Sequence, residues 1–213
     1  MSGPEPTPPA APAPPVRGTV EPGGVVVGDD GLGRCPWAVG LAEMTAYHDT
    51  EWGRPVRGEQ PLYERLCLEG FQAGLSWRTV LAKRENLRAA FADFDPEAVA
   101  RFSDADLDAR LDDPGIIRSR AKIAMVRTNA LATLALREHG GLDRFIWSRR
   151  PDPLDPPPRL AAEVPTRSDH SAALAKDLKA AGFRFVGPTS AFALMEATGL
   201  VDTHLVGCHR RGA

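Results

Sequence analysis

The sequence predicts an all-α fold, and three observations lead there. From Arg34 onward apolar residues recur at helical spacing while strand-like alternation is scarce. Helix start and stop residues stand where those periodic stretches begin and end. At 213 residues, 43% hydrophobic and 25% charged, the chain can bury the core of one or two closely packed helical domains.

Taken in order, the expected helices cover about 61–74, 76–91, 96–102, 104–111, 119–138, 168–181 and 188–199. Pro61, Pro96 and Pro188 suit first-turn positions, where a missing N–H costs nothing. Ser103 and Ser168 can cap helix starts, and Gly140 and Gly182 stand where helices should stop. The Pro-rich run 151–158 reads as a long exposed connection that lets the last two helices fold back onto the first part of the chain. Residues 1–33, dense in Pro, Gly and Ala, read as a disordered, partly polyproline tail ahead of one folded domain, 34–213.

Composition narrows the function classes. The formal charge of −2 is unevenly shared: residues 1–33 hold one Arg against four acids, leaving about +1 for the rest. Such a body can grip DNA at a few phosphates but is unsuited to coating it. No apolar run approaches the roughly 18–20 residues of a membrane span, and no charged start precedes a Leu-rich core, so the expected location is cytoplasmic. Three widely spaced cysteines, Cys35, Cys67 and Cys208, do not describe a disulfide framework; in a reducing compartment they imply metal binding or burial.

Cys35 and His48 lie near the start of the folded region, and His204 and Cys208 near its end. The four-residue spacing of the second pair puts both side chains on one face of a helical turn. A Cys2His2 set is a closed tetrahedral site for structural Zn²⁺, with no position left for a catalytic water. It would staple the two ends of the domain together. Spacing alone is equally compatible with two buried thiols and two surface histidines. His139, His170 and His209 are assigned to the surface, and Cys67, beside Leu62 and Leu66, to the core.

Glu69 stands in CLEGFQAGLSW, where a carboxylate is expensive without a partner or a task. Trp77 follows, and Trp37, Tyr47 and Trp52 crowd the proposed metal ligands. Aromatic faces with one or two hydrogen-bonding groups are what a flipped-out base requires, and they attract cationic rings. The plain alternative is a core of aromatics with Glu69 paired to Arg65 one turn earlier. The segment LDDPGIIRSRAKI, 111–123, reads as a hairpin between helices whose backbone N–H groups can bind phosphate without reading sequence. A plain helix-turn-helix connection with solvated charges is the competing reading.

Together RCPW, AYHDTEWG, LCLEGFQAGLSW, KREN, FDPE, GIIRSRAKI, GFRFVG and GLVDTHLVGC closely resemble the bacterial 3-methyladenine DNA glycosylase I family of the helix-hairpin-helix superfamily, from Arg34 to about Cys208. The resemblance implies zinc ligands at Cys35, His48, His204 and Cys208. It implies a base pocket of Trp37, Tyr47, Glu69 and Trp77, in which Glu69 hydrogen-bonds the methylated adenine and Tyr47 and Trp77 stack on it. It also implies a duplex-probing turn at Gly74 and Leu75 and a DNA-anchoring hairpin at Gly115, Ile116, Arg118 and Lys122. The implied activity is hydrolysis of the N-glycosidic bond of 3-methyladenine in double-stranded DNA by a monofunctional, monomeric enzyme, with Glu69 as recognition residue first. Pro36 and Met44 depart from the family, which often has Gly and an aromatic there, so the pocket rim is expected to differ in shape. The rival classes are a zinc-stapled damage-binding module and a zinc hydrolase with three protein ligands and an open coordination site.

Overall fold

The structure, a computed structural model, describes residues 23–154 and 156–213. It is helical as expected, apart from one two-stranded ribbon, β1 (Val26–Val27) antiparallel to β2 (Gly33–Arg34), with Val26 opposite Arg34. This ribbon corrects the expectation of a disordered tail for residues 23–33; the remainder of that tail lies outside the described residues. Three consecutive valines supply strand propensity. The turn between the strands is closed by Asp30, whose carboxylate accepts from Leu32 N and from the Arg34 guanidinium. Val25 packs against Cys35, Leu205 and Cys208, and Gly23 O accepts from Ala161 N at 2.7 Å.

Helix α1 (Ala42–Thr50) escaped the sequence reading because only Tyr47 and His48 are buried along it, so it has no apolar stripe. Next comes α2 (Glu59–Gln72), which buries Leu62, Tyr63, Leu66, Cys67 and Phe71 and forms the centre of the fold. The single helix expected over 76–91 is two, α3 (Trp77–Ala82), capped by Ser76, and α4 (Arg84–Ala90). Lys83 stands at the corner between them at φ −106°, ψ 2°, outside the helical region.

Asp95 and Pro96 start α5 (Pro96–Ala100), and a Ser103–Asp106 capping box starts α6 (Asp104–Ala109). A short 3-10 turn and residues 113–119 lead into α7 (Arg120–Ala135). The chain stops at Gly140 as expected and restarts at once as α8 (Gly141–Trp147); the paired glycines hid this restart. The last two, α9 (Asp169–Ala180) and α10 (Pro188–Ala197), fold back as the connection allowed, and α10 packs on α2. That connection is not wholly exposed: Pro158 is buried, with its carbonyl accepting from Val206 N at 2.8 Å.

The core surrounds α2. Phe71 and Phe91 lie 5.9 Å apart, Tyr63 meets Phe94 edge-on, and the Tyr63 hydroxyl donates to Val126 O, so the one polar atom of that ring is satisfied. Among the described residues no helix is long and apolar enough to cross a membrane. Val25→Asp, which sets a carboxylate against the Cys35–Cys208 cluster, is expected to cost about 1–3 kcal/mol and to lower the midpoint of thermal unfolding by several degrees, measured by differential scanning fluorimetry.

Candidate base pocket and metal clasp

Cys35 follows β2, His48 ends α1, and Cys208 comes from the far end of the chain; their donor atoms lie within 4.8 Å of one another, close enough to hold one metal ion. Cys208 Sγ is 3.4 Å from His48 Nε2. Interaction with Cys35, with help from His48, holds the Cys208 thiol well below the usual thiol range against burial, and the same interaction together with burial pushes the Cys35 thiol up. His204 is brought alongside, its ring 5.3 Å from that of His48, but it stands outside the tight three-residue group. The helical turn expected for His204 and Cys208 is not formed. Both lie on irregular backbone after α10, where Cys208 N reaches Leu205 O.

Two features of this cluster suit a metal. Each histidine has its Nδ1 bonded to a neighbouring carboxylate, His48 to Asp49 at 2.8 Å and His204 to Asp202 at 2.9 Å, which turns Nε2 inward. His204 Nε2 is buried without a partner. The sequence reading missed both carboxylates, although each lies within two residues of its histidine. It also misplaced His209, which is a brace: its Nδ1 lies 3.0 Å from Gly33 O and its Nε2 3.5 Å from Asp49. At Gly53, at φ 76°, an added Cβ would meet His204 Cε1 at 2.4 Å, so the close approach of Trp52 and His204 requires glycine there.

Beside the clasp is a cavity of about 420 Å³, within the range of about 300–1,000 Å³ usual for small-molecule sites. Trp37, Tyr47, Glu69 and Trp77, all expected, line it, as do Pro36 and Met44, the two departures at the rim. Tyr47 and Trp77 lie 5.1 Å apart at 39°. A ring sandwiched between them would need two contacts of about 3.5 Å, so they form one wall rather than a slot. Trp37, 39% exposed, stands at the mouth. Residues 161–166 close another side, tied back by the Gly23–Ala161 bond.

Glu69 is 5% exposed and its Oε2 has no partner; Trp77 Nε1, in the same cavity, is also buried and unpaired. Arg65 does not pair with Glu69. Its guanidinium donates to Glu51 at 2.6 Å and stands over the Tyr47 ring. Glu51 also receives Arg84, and the two arginines overcome burial to hold its carboxyl at about 2. Burial pushes Glu69 up to about 8, aided by a second carboxylate that the sequence reading missed, Glu196 of α10, itself raised by burial to about 7.

The residues expected at DNA divide into two kinds. Gly74, at φ 74°, makes the sharp turn after α2, and Leu75, 40% exposed, projects from it. Arg118 is exposed and forms no ion pair among the described residues, so its charge is available to a phosphate. Ile116, by contrast, is 2% exposed and anchors the hairpin in the core, leaving only its backbone for contact. Gly115 N–H already donates to Asp113, and Lys122 donates to Phe71 O and Ala73 O, the end of α2. Lys122 thus ties the hairpin helix to the Gly74–Leu75 turn. Lys83 and Asn86 tie the hairpin loop from the other side, both donating to Gly115 O. The first turn of α7 carries no side-chain cap.

A helical body with a hairpin corner carries a concave aromatic pocket that encloses a buried carboxylate, an arrangement able to receive a flipped-out base. Comparison with known proteins gives the family. The profile described as methyladenine glycosylase matches residues 37–211. The DNA-3-methyladenine glycosylase of Haemophilus influenzae is 46% identical over 179 residues, covering 82% of this chain and 96% of that protein. DNA-3-methyladenine glycosylase 1 of Escherichia coli is 45% identical over 177 residues, covering 82% and 95%. A crystal structure of 3-methyladenine DNA glycosylase I is similar with a TM-score of 0.80 at 43% identity, over 84% of this chain and 99% of that one. A second, of a 3-methyladenine DNA glycosylase I variant in complex with 3-methyladenine, gives 0.80 at 34% identity, over 84% and 98%. The chain belongs to the methyladenine glycosylase family.

The raised Glu69 carboxyl has a consequence for stability. A proton bound more tightly in the folded than in the unfolded chain favours folding at low pH, and that contribution is lost as pH rises from about 4.5 towards about 8. Glu69→Gln, which cannot ionise, is expected to gain in melting temperature over the wild type across that window and to gain no further above it. A gap that stays constant from pH 4.5 to 8.5 would show that Glu69 is not held protonated.

Proposed function

We propose that this protein excises 3-methyladenine from alkylated double-stranded DNA by hydrolysing the N-glycosidic bond, leaving an abasic site. The observation that carries this is Glu69: a buried carboxylate with an unpartnered oxygen, set among aromatic faces in a cavity large enough for a purine. The family and the similar structure with bound 3-methyladenine support it.

Methylation at N3 gives the adenine nucleotide a positive charge and makes the base a good leaving group, so selection matters more than chemical force. The target nucleotide rotates out of the stack at a cost of a few kcal/mol, less for a base that pairs poorly. Leu75 fills the gap, while Arg118 and the uncapped start of α7 hold phosphates. In the pocket the wall of Tyr47 and Trp77 stacks on the cationic ring, and Glu69 accepts a hydrogen bond from it. As the cation enters, Glu69 releases its proton to solvent and meets it as a carboxylate. The glycosidic bond breaks with its electron pair going to the base, which leaves as neutral 3-methyladenine. Water adds to the oxocarbenium-like sugar carbon and loses a proton to solvent.

We infer further that the clasp holds one Zn²⁺, with Cys35, His48 and Cys208 joined by His204. Two thiolates and two imidazoles whose other nitrogens are fixed by carboxylates fit zinc, and the unpartnered His204 Nε2 is accounted for by a bond to it. Such an ion would supply no chemistry to the base and would hold the ends of the domain together.

Purified wild type is expected to release 3-methyladenine from dimethyl-sulfate-treated DNA, resolved by chromatography, and Glu69→Ala to release little. No release by folded wild type would leave a damage-binding module as the better reading. Cys208→Ser is expected to lose zinc and thermal stability together, and Asp202→Asn to weaken zinc binding by about 10–100-fold in a chelator competition; unchanged zinc content in Cys208→Ser would refute the site.

A further inference from the structure

Thr189, Phe192, Ala193 and Glu196 follow one another at helical spacing on α10, and all four line the base cavity. Glu196 is the charged member of that face. Its Oε1 accepts from Thr203 Oγ1 at 2.7 Å, and Thr203, itself buried, is the residue before His204. Its Oε2 has no hydrogen-bond donor among the described residues, and no Arg, Lys or His of those residues forms an ion pair with either Glu196 or Glu69. Arg65, which stands closest in sequence to Glu69, is committed to Glu51. The pocket therefore holds two carboxylates that act on each other as like charges, and the one cation that acts on Glu69, Arg65, does so from a distance while bonded to Glu51. A buried carboxylate without a cation is expensive, and nothing in the packing of α10 needs one at this position, where a neutral side chain could accept from Thr203 equally well.

We propose that Glu196 is a second specificity-determining carboxylate of the base pocket, positioned by Thr203 to face a positively charged purine and to disfavour neutral ones. This deepens the reading above and rests on it: the ligand is the cationic form of a methylated adenine. Glu69 meets the ring beside the aromatic wall of α1 and α3, and Glu196 meets it from the α10 side. Together they make the pocket favourable to a ring that brings its own positive charge and less favourable to a neutral base, which offers no charge to stabilise either carboxylate in its ionised form.

The test uses full-length, metal-loaded protein and two probes, the fixed cation 3,9-dimethyladeninium and neutral 9-methyladenine, with binding read from tryptophan fluorescence. Glu196→Gln is expected to weaken binding of the cation about tenfold while affinity for the neutral base stays within about twofold, and to lower kcat/KM for 3-methyladenine release in parallel. Glu196→Asp, which keeps the charge, should retain most of the preference for the cation. Equal loss of both probes, or loss of metal, in Glu196→Gln would mean a structural role and overturn the proposal, as would unchanged cation binding. If the wild type releases no base yet Glu196→Gln still loses the cation selectively, the excision reading fails and the assignment of Glu196 stands. If the wild type excises and Glu196→Gln matches it with both probes, the reverse holds.

Discussion

The convergence of Cys35, His48 and Cys208 on one point is the constraint on which the rest of the structure depends. Residues at and beside the clasp stand close in sequence to residues of the pocket. Tyr47 precedes His48, Trp37 lies two positions after Cys35, and Thr203, which holds Glu196, precedes His204. Fixing the clasp therefore fixes the register of three separate segments around the cavity. The N-terminal ribbon adds to this from outside: Val25 covers the clasp and Gly23 tethers residues 161–166, another wall of the same cavity.

Charge is arranged around that frame with a clear division. Arg65 and Arg84 both serve Glu51, so the cations nearest the pocket are neutralised one layer behind it. Glu69 and Glu196 face the cavity without such partners, and burial raises both towards neutral pH. Low polarity and aromatic walls strengthen any charge interaction within the cavity. In the proposed reading, recognition of an alkylated base rests on an electrostatic imbalance that the folded protein maintains and the ligand relieves.

The surface expected to meet DNA is assembled as one block. Lys122 joins the start of α7 to the end of α2, and Lys83 and Asn86 join α4 to the hairpin loop, so the phosphate-binding corner and the Gly74–Leu75 turn are held in a fixed relation. Phosphate contacts set the position of a protein on a duplex. In the proposed complex they would also set where Leu75 enters it, a few residues from Glu69 in the chain.

Much of this was legible in the chain itself, because it depends on local periodicity and on side-chain chemistry that survives in any arrangement. The helical class, the end of most helices, the isolation of Glu69 among apolar residues and the family resemblance all follow from residue type and spacing, and the pairing of Cys35 and His48 with a distant Cys208 is what that resemblance implies. What tertiary structure alone decided concerns partners distant in sequence. The short helix carrying Tyr47 and His48 has no apolar stripe to betray it, since its buried face is made by the clasp and the pocket. Ile116 and Lys122 share a basic, apolar-flecked segment with Arg118, yet one belongs to the core and the other to the carbonyls of α2, because the fold and not the segment determines what lies opposite. Glu196 reads as an ordinary polar position near a helix end until α10 is laid against α2. Only the closing of the chain on itself then places two carboxylates in one cavity and directs the arginines that could have neutralised them to Glu51.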